Sequence, residues 1–512
     1  MGHDEFSKLS DSDAFDRVAT MVDHAGDTGD GELNDQALSL IDLLAARASL
    51  ACELRILLHY FRANAFENKL SLAGETQTWA WEIPYFEKVL FELRRAVRDD
   101  SFSNLDSLRQ CQILTNLGNK LNLLGRPVEA IAQWDRAIAL DKHFGMARGN
   151  RAFGLCYYAN SLYDQGYRDL LLLSAYDCFL AASAKPAVYD SPESARHRRQ
   201  FKAQAAQLAG HISIDTARTH LLRNVSLGRS RIERAYRAWA LQKRLFLNPL
   251  NDIGEYSIAA YDELHLPPIT TGITDGPPAI LGFYNQMKQE FISARWLCFE
   301  GQSEYRAHFS DSDTHLYDTL GIPAYSLAVE KTKLAYRMAY SLLDKVAFFI
   351  NDYFEVGLPE HKVSFRSIWY SPKGDPKPLS AIFKDRQNWP LRGLYWLSRD
   401  IYEPAFKEVA EPGAEGLADL RNHLEHKYCQ VHEDLGIEYS RLSTSRNGVD
   451  LGFRIGRDEL EAKTVHIMQK ARAALIYLAL AVHREEAVRN ATRNSGRVVQ
   501  MPLRLWPERR RP

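Results

Sequence analysis

The chain has 512 residues, of which 46% are apolar and 25% are charged, and its formal net charge is −1. A chain of this length divides into two to four domains, and this composition excludes a collagenous or intrinsically disordered protein. The net charge neither favours nor excludes a nucleic-acid partner. Six scattered cysteines without a Cys-x-x-Cys pair argue against a disulfide framework and against zinc fingers.

Charge is distributed unevenly at the two ends. The first 35 residues hold ten acids against two bases, and residues 484–512 hold eight arginines against three acids. We predict an acidic, partly mobile segment over residues 1–35 and a basic tail over residues 489–512. No signal peptide is evident, and the longest apolar run, residues 473–482, is shorter than the ~20 residues of a membrane span. We therefore predict a cytoplasmic protein without a membrane partner.

Residues 114–154 carry the spacing of a helical repeat. The pattern consists of Leu114, Leu117, Gly118, Leu121, Gly125, Ala130, Trp134 and Ala137. Small residues at 118 and 130 allow two helices to approach closely, and glycine at 125 suits the turn. This pattern resembles a tetratricopeptide repeat, and weaker helix pairs lie on both sides of it. We predict tetratricopeptide-like (TPR-like) helical repeats over residues 36–247.

A basic stretch with interleaved aromatic residues lies near the end of these repeats. Residues 216–244 hold eight lysines and arginines against the single acid Glu233. Such a helix surface can follow a phosphate backbone and stack on bases, although a solvated helix face is the simpler interpretation. The candidate RNA-binding residues are Arg229, Arg231, Arg234, Tyr236, Arg237 and Trp239.

The rest of the chain also predicts helices. We expect a connector over residues 248–320 with one helix at about 282–300, followed by helices at about 326–354, 392–402, 417–434 and 458–485. Apolar residues recur in the longer helices at spacings that bury one face. The predicted fold class is therefore all-α, with TPR-like repeats followed by a C-terminal bundle of four to five helices over residues 321–488.

The helix predicted at residues 417–434 contains the sequence RNHLEHKY. Asn422 and His426 lie four residues apart, on one helix face, and Arg421 lies about 140° around the helix from His426. Histidine moves protons near neutral pH, and arginine binds phosphate through two hydrogen bonds. Metal-free RNA cleavage needs a base, an acid and a cation beside the 2′-hydroxyl nucleophile. One Arg–His pair supplies part of this set, and a second protomer across a twofold axis would supply the rest.

The sequence Arg421, Asn422, three residues, His426 in a C-terminal helical bundle resembles the HEPN superfamily (higher eukaryotes and prokaryotes nucleotide-binding). The resemblance covers roughly residues 248–486 through LNPLND, FYNQMKQEFISARWLCFEG, YSLLDKVAFFINDYF and GLYWLSRD, and it includes a branch fused to TPR-like repeats. It implies a metal-independent endoribonuclease with Arg421, Asn422 and His426 at a composite dimer site. The products would be a 2′,3′-cyclic phosphate and a 5′-hydroxyl. Many such proteins act in bacterial toxin–antitoxin or antiviral systems.

Other residues near the motif carry weaker indications. Asp344 and Lys345 lie on the helix expected beside the motif and would support the site, or form an internal ion pair; Asp400 and Arg399 carry the same ambiguity. Tyr428 extends the motif to Arg-x4-His-x-Tyr, which matches a toxin branch whose tyrosine is adenylylated by a partner enzyme. A packed or hydrogen-bonded tyrosine is the simpler interpretation of that residue.

We predict no cofactor and no metal. His423 and His426 have a spacing that can share a zinc ion, but a third ligand is not evident. The predicted partners are an RNA substrate, a second copy of the chain, an antitoxin, and a protein partner or trigger that binds the repeats. The alternative function is a non-catalytic TPR scaffold whose HEPN-like bundle binds a nucleotide or only dimerises.

Overall fold

The computed structural model describes residues 3–74, 79–189, 193–272, 278–303, 307–317, 323–374, 377–407, 416–433, 452–492 and 502. Over these residues the chain is mostly α-helical, with one small two-stranded sheet. The predicted all-α class is therefore confirmed. Most of the predicted basic tail, residues 493–501 and 503–512, lies outside the described residues.

The N-terminal half is built from helices that pack against their neighbours along the chain. They are α1 (His3–Phe6), α2 (Asp11–Thr28), α3 (Gly31–Ala45), α4 (Cys52–Leu72), α5 (Pro84–Arg98), α6 (Ser107–Leu123), α7 (Pro127–Leu140), α8 (Gly145–Ser161), α9 (Gln165–Ser183), α10 (Ser194–Ala209), α11 (Ile214–Leu221) and α12 (Arg231–Gln242). Ser10, Asp30, Asp106 and Asp164 cap α2, α3, α6 and α9 by accepting hydrogen bonds from backbone N–H groups.

The acidic first 35 residues differ from the mobile segment that the sequence predicts. Ala14, Val18 and Val22 of α2 are buried, while the acids of α2 lie mainly on its outer side. The reason is that apolar residues recur every three or four positions between the acids, which gives the segment one face to bury. In addition, Asp11 forms an ion pair of 2.8 Å with Arg47 beyond α3. Residues 11–28 are thus part of the packed structure.

The helix pair α6–α7 has the close packing that its small residues predict. A methyl group at Gly118 would lie 2.6 Å from Nε1 of Trp134, and one at Gly154 of α8 would lie 2.3 Å from the same indole ring. Trp134 therefore fills the space between three successive helices, and only glycine fits beside it. Gly125 makes the turn with a φ angle of +85°. The helical N-terminal region is compatible with the predicted repeats.

The C-terminal part is a bundle around one long apolar helix. Its elements are α13 (Ala279–Ser303), α14 (Leu327–Tyr353), α15 (Ala381–Lys384), α16 (Trp389–Tyr402), α17 (Pro404–Lys407), α18 (Leu417–His426), β1 (Tyr428–His432), β2 (Gly452–Gly456) and α19 (Arg457–Thr492). Helices α13, α14 and α16 all pack on α19. The hydroxyl of Tyr284 in α13 donates to the carbonyl of Leu475 at 3.0 Å. The helix that the sequence assigns to a connector is therefore part of the bundle.

Helix α19 is long and apolar enough to cross a bilayer by length and composition, but 83% of its most apolar window is buried inside the protein. Its burial is due to contacts with α13, α14 and α16, which surround it within the bundle. This helix is consistent with the core helix of a soluble protein.

Helix α16 joins the bundle to the repeats. Residues 390–401 are all buried, because the bundle covers one side of the helix and the repeats cover the other. The backbones of Gly125 and Gly393 approach so closely that a methyl group on either would overlap the opposite main chain. The indoles of Trp389 and Trp396 donate to carbonyls of the N-terminal region, those of Asn122 and Trp81, at 2.8 and 3.0 Å. We call this contact region the seam.

Asp400 of α16 carries the central charge of the seam. Its carboxylate accepts two hydrogen bonds from Arg94, at 2.7 and 2.8 Å, and another from Arg126. Burial alone would raise the pKa of Asp400, but Arg126 and Arg94 outweigh it and hold the pKa at about 2. Arg399 instead pairs with Glu87 and Glu403. The two residues therefore do not pair with each other, and both have structural partners.

Residues 247–252, the LNPLND stretch, also link the two parts. Asp252 is fully buried and accepts hydrogen bonds from Arg472 of α19 at 2.6 Å and from Tyr158 of α8 at 3.1 Å. Arg472 further donates to the carbonyl of Asn248 at 2.8 Å. This stretch is thus packed structure rather than an open linker.

Candidate active site at the end of α18

Helix α18 lies on the outside of the bundle with one apolar side buried. It starts after Gly416, which has a φ angle of +74°, and it buries Leu417, Leu420 and Leu424. The hydroxyl of Tyr336 in α14 donates to the carbonyl of Leu417 at 2.6 Å and fixes the start of the helix. Spacing of three and four residues between the leucines leaves the motif residues on the outer side.

The helix ends at His426, eight residues before the end that the sequence predicts. Lys427 is fully extended, and residues 428–432 pair in parallel with residues 452–456. Tyr428 is exposed, Cys429 is buried, Gln430 is intermediate, and Val431 and His432 are both buried; the carbonyl of Val431 also accepts from the N–H of Ala324 at 2.7 Å. The motif therefore stands in the last turns of α18 rather than early in a longer helix.

Arg421 is held in place by two neighbours. Its guanidinium carbon lies 5.8 Å from the centre of the Tyr340 ring, and its Nη1 donates to Oδ1 of Asn422 at 3.3 Å. Burial raises the pKa of Tyr340 to about 12, although Arg421 acts in the opposite direction. Tyr340 therefore stays a neutral aromatic surface beneath the guanidinium group. The rest of Arg421 is partly exposed, which leaves donors available to an incoming phosphate.

His426 and Asn422 are exposed on the outer side of α18. Within the part of the chain that the structure describes, the His426 imidazole makes no hydrogen bond and no ion pair. A histidine at the last position of a helix can donate or accept a proton there without disturbing internal packing. Arg421 and His426 are not in contact within one protomer, as their separation around the helix requires.

One structural alternative for Arg421, an ion pair with Glu425, is not formed among the described residues. Glu425 does not pair with Arg421; its Oε1 lies 3.9 Å from Nε of Arg337. His423 stacks on Phe453 with ring centres 4.8 Å apart, and its Nδ1 lies 2.7 Å from the Asp419 carbonyl oxygen. The described residues contain no group of three or more His, Cys, Asp or Glu side chains that could hold a metal ion.

The three supporting candidates have different surroundings. Asp344 accepts from the N–H of Phe365 at 3.0 Å, and its charge contributes to raising the pKa of Tyr340. Lys345 pairs with Glu290 of α13 at 2.6 Å, away from the motif helix. Tyr428 is 40% exposed, and its hydroxyl lies 2.7 Å from that of Tyr325. Asp344 is thus connected to the motif through Tyr340, Tyr428 adjoins it, and Lys345 has a packing role.

The RNA-binding candidates divide into two groups. Arg229, Arg231 and Arg234 are exposed. By contrast, the hydroxyl of Tyr236 accepts a hydrogen bond from Arg295 at 2.7 Å. The ring centres of Trp239 and Phe299 lie 5.5 Å apart. The aromatic residues of this stretch are therefore part of the packing between α12 and α13, because their spacing of three places them on the inner face.

Sequence reasoning missed the residues of α14 that position the motif helix. Tyr336, Arg337 and Tyr340 all contact α18, and Nη2 of Arg337 donates to the carbonyl of Leu424 near the C-terminal end of α18. The available sequence signal was the spacing of Tyr336 and Tyr340. Residues four apart lie on one side of a helix, so these tyrosines mark a second face of α14 beside the one that its apolar residues bury. Donation to the last carbonyls of a helix is a common role of arginine.

The C-terminal helices thus place a partly exposed Arg421 and an exposed His426 on the outer side of one helix of a bundle, as the resemblance to the HEPN superfamily implies. Residues 271–485, about two fifths of the chain, match the family model of the LA2681-like HEPN family. The C-terminal region is therefore a HEPN domain, and the match begins within the segment that the sequence analysis treats as a connector. No curated protein and no solved structure matches the chain.

Proposed function

We propose that the protein is a metal-independent endoribonuclease whose HEPN domain cuts RNA with Arg421, Asn422 and His426. The observation that carries the proposal is the state of the motif: Arg421 is positioned on Tyr340 and Asn422, while His426 is exposed and unused by the fold. Charged groups without a structural function, placed together at a surface, are candidates for catalysis. The HEPN match adds support, because domains of this kind are commonly ribonucleases.

The chemistry uses the RNA as its own nucleophile. A histidine removes the proton of the 2′-hydroxyl, whose oxygen attacks the adjacent phosphorus and displaces the 5′-oxygen. A second proton donor protonates that leaving oxygen, so the products are a 2′,3′-cyclic phosphate and a 5′-hydroxyl. The guanidinium of Arg421 stabilises the extra negative charge of the phosphorane, and Asn422 orients Arg421 through the hydrogen bond of their side chains.

Two protomers supply the acid and the base. One copy holds one His426, which cannot deprotonate the nucleophile and protonate the leaving group in the same step. Exposed aromatic side chains beside the motif suit contact with a second copy: Tyr325 and Tyr428, whose hydroxyls lie 2.7 Å apart, are 45% and 40% exposed. A twofold axis near α18 would bring two motifs together.

In this proposal the repeats control the cutting domain. An unrestrained ribonuclease damages its own cell, so its activity must depend on a signal. The seam connects the repeats directly to α16, and this contact supports a role as a regulated toxin or antiviral effector whose trigger or antitoxin binds the repeats.

The test is incubation of purified protein with total RNA in EDTA, followed by end-group analysis. We expect the wild type to leave cyclic phosphate ends and His426→Ala to cut about 10²- to 10⁴-fold more slowly. Arg421→Ala should cut RNA similarly slowly, because the variant lacks the cation that stabilises the phosphorane.

The matched control is His423→Ala, a histidine of the same helix that stacks on Phe453. It should retain cleavage. Equal cleavage by wild type and His426→Ala would overturn the assignment of the site, and cleavage that stops in EDTA would overturn the metal-free mechanism. No cleavage by the wild type, with or without extracts of stressed cells, would favour the scaffold function.

A further inference from the structure

A second arginine lies beside the motif, on helix α14. Nη2 of Arg337 donates to the carbonyl of Leu424, which stands two residues before His426. Nε of Arg337 lies 3.9 Å from Oε1 of Glu425. Both contacts are made to the last turns of α18. Arg337 is therefore a neighbour of the proposed catalytic residues, although a different helix carries it.

The two arginines lie along the same flank of α18. Arg421 and Glu425 are four residues apart and are thus neighbours on the helix surface, about one turn of 5.4 Å from each other. Arg421 lies over Tyr340 of α14, and Glu425 is the residue that Arg337 approaches. The two guanidinium groups therefore lie along the line where α14 meets α18, roughly one helical turn apart.

The position of Arg337 is fixed, while most of its hydrogen-bonding capacity is unused. A guanidinium group has several N–H donors, and the bond to Leu424 uses one of them. Among the described residues, the other donors of Arg337 make no hydrogen bond. The distance of 3.9 Å to Glu425 is too long for a hydrogen bond, and 34% of the arginine side chain is exposed. Capping of α18 thus accounts for only part of this side chain.

Arg337 belongs to an exposed strip of α14. Leu334 and Ser341, three and four residues away on the same side of the helix, are both exposed. By contrast, Tyr336 and Tyr340 are buried on the adjoining side, where α14 contacts α18. Within the part of the chain that the structure describes, the strip is open to solvent beside α18. A strand that reaches the motif can continue along it.

We propose that Arg337 binds the phosphate next to the scissile one, so that the site selects RNA with more than one phosphate. This inference rests on the proposed cleavage, in which Arg421 binds the scissile phosphate. The planar guanidinium of Arg337 suits a phosphate through two hydrogen bonds, and its bond to Leu424 holds it ready. Binding a phosphate that is not broken positions the one that is, which raises kcat/KM for longer substrates.

The first test measures binding without cleavage. The probe is a short oligouridylate whose 2′-hydroxyl groups are all methylated, because it lacks the nucleophile. For single strands, the logarithm of the affinity falls with the logarithm of the salt concentration by about 0.7 per phosphate contact. Arg337→Gln should reduce this slope by about 0.7 and weaken binding about tenfold at low salt, whereas Arg337→Lys should retain the slope.

Two comparisons keep the binding test specific. Arg95→Gln removes an arginine of the repeats that is 42% exposed, and it should bind the methylated RNA like the wild type. Urea unfolding of Arg337→Gln and Arg337→Lys measures the loss of the bond to Leu424 separately. A residue that only capped α18 would lower the unfolding free energy and leave the salt slope unchanged.

The second test compares cleavage of a dinucleotide, which has a single phosphodiester, with that of a tetranucleotide. Arg337→Gln should lower kcat/KM for the tetranucleotide about tenfold and for the dinucleotide less than about twofold, whereas Arg421→Ala should slow both. The wild type should therefore prefer the tetranucleotide.

The outcomes separate this inference from the proposed function. A wild type that binds the methylated RNA but cuts neither substrate contradicts the proposed function, and the salt slope still decides the role of Arg337. The role of Arg337 is overturned if the wild type does not bind the methylated RNA, or if its slope equals that of Arg337→Gln. Equal cleavage of the two substrates by the wild type, or an equal loss for both in Arg337→Gln, overturns it as well.

Discussion

The seam and the outer side of α18 that carries Arg421, Asn422 and His426, here called the motif face, both have arginine as their central side chain. The arginines are buried at the seam and partly exposed at the motif face. At the seam, Arg94 and Arg126 are buried and share the carboxylate of Asp400, which lies 306 and 274 positions away in the chain, and Arg126 also pairs with Glu129. At the motif face, Arg421 lies partly exposed over Tyr340, and no carboxylate pairs with it in the described residues. Charge that is neutralised internally maintains the fold, whereas charge that is left open is available to a substrate.

The largest effect should follow from removing the seam carboxylate. Asp400→Asn leaves Arg94 buried without its counter-charge and leaves Arg126 with Glu129 alone, and we expect the free energy of unfolding to fall by about 3–5 kcal/mol. Urea unfolding measures this loss. The control is Glu425→Gln beside the motif, whose distance of 3.9 Å from Arg337 predicts less than about 0.5 kcal/mol. Equal losses of unfolding free energy in the two variants would contradict the contrast between the buried and the exposed carboxylate.

Glycines with positive φ angles provide a steric form of the same comparison. Gly125→Ala places a methyl group 1.9 Å from the Trp389 carbonyl oxygen at the seam, and we expect a loss of about 2–4 kcal/mol. Gly416→Ala, before α18, has the same left-handed backbone, but no described residue comes within 4 Å of the added methyl group, so the loss should be about 1 kcal/mol. The difference between the two melting curves isolates the seam contact.

The lowered pKa of Asp400 predicts that the free energy of unfolding depends on pH in the acid range. Its carboxylate has a pKa of about 2 in the folded protein and an ordinary value of 3.8, so ionisation favours folding. This stabilisation, roughly 2 kcal/mol, is fully present above pH 4 and is lost as the pH falls towards 2. We expect the difference in unfolding free energy between wild type and Asp400→Asn to shrink over that range. A difference that stays constant between pH 5 and pH 2 would contradict the assignment.

The smallest changes in stability should come from the motif itself. His426→Ala should alter the unfolding free energy by no more than about 0.5 kcal/mol, because the exposed imidazole makes no hydrogen bond or ion pair with the residues that the structure describes. Arg421→Ala should cost up to about 1 kcal/mol through its contact with Tyr340. A loss above 2 kcal/mol in either variant, measured by urea unfolding, would assign that residue to the fold instead of to catalysis.

Local patterns in the sequence predicted the helices well and their partners poorly. The apolar spacing placed α14 within one residue of its observed ends, and the small residues of the α6–α7 pair predicted its close packing. The contact between Gly125 and Gly393 joins positions that are 268 residues apart. A repeating pattern within one helix carries no information about so distant a pair. For the same reason the sequence could not assign Asp400 to Arg94 and Arg126.

The candidate site shows the same limit. The identities of Arg421, Asn422 and His426 were sufficient to select them as candidates, since the residue types and their order suggest the chemistry. The end of α18 at His426 depends on β1 pairing with β2, whose residues begin twenty positions after β1 ends. A strand of five residues gives a weak local signal, so a continuous helix was the natural expectation.

The burial of α16 on both sides has a consequence for how the protein melts. Because the repeats and the HEPN domain share this helix as common interior, neither can lose its structure without exposing apolar surface of the other. Calorimetry should therefore record one cooperative transition for the two regions, with equal calorimetric and van't Hoff enthalpies. Limited proteolysis between them should destroy both halves together rather than release two folded fragments.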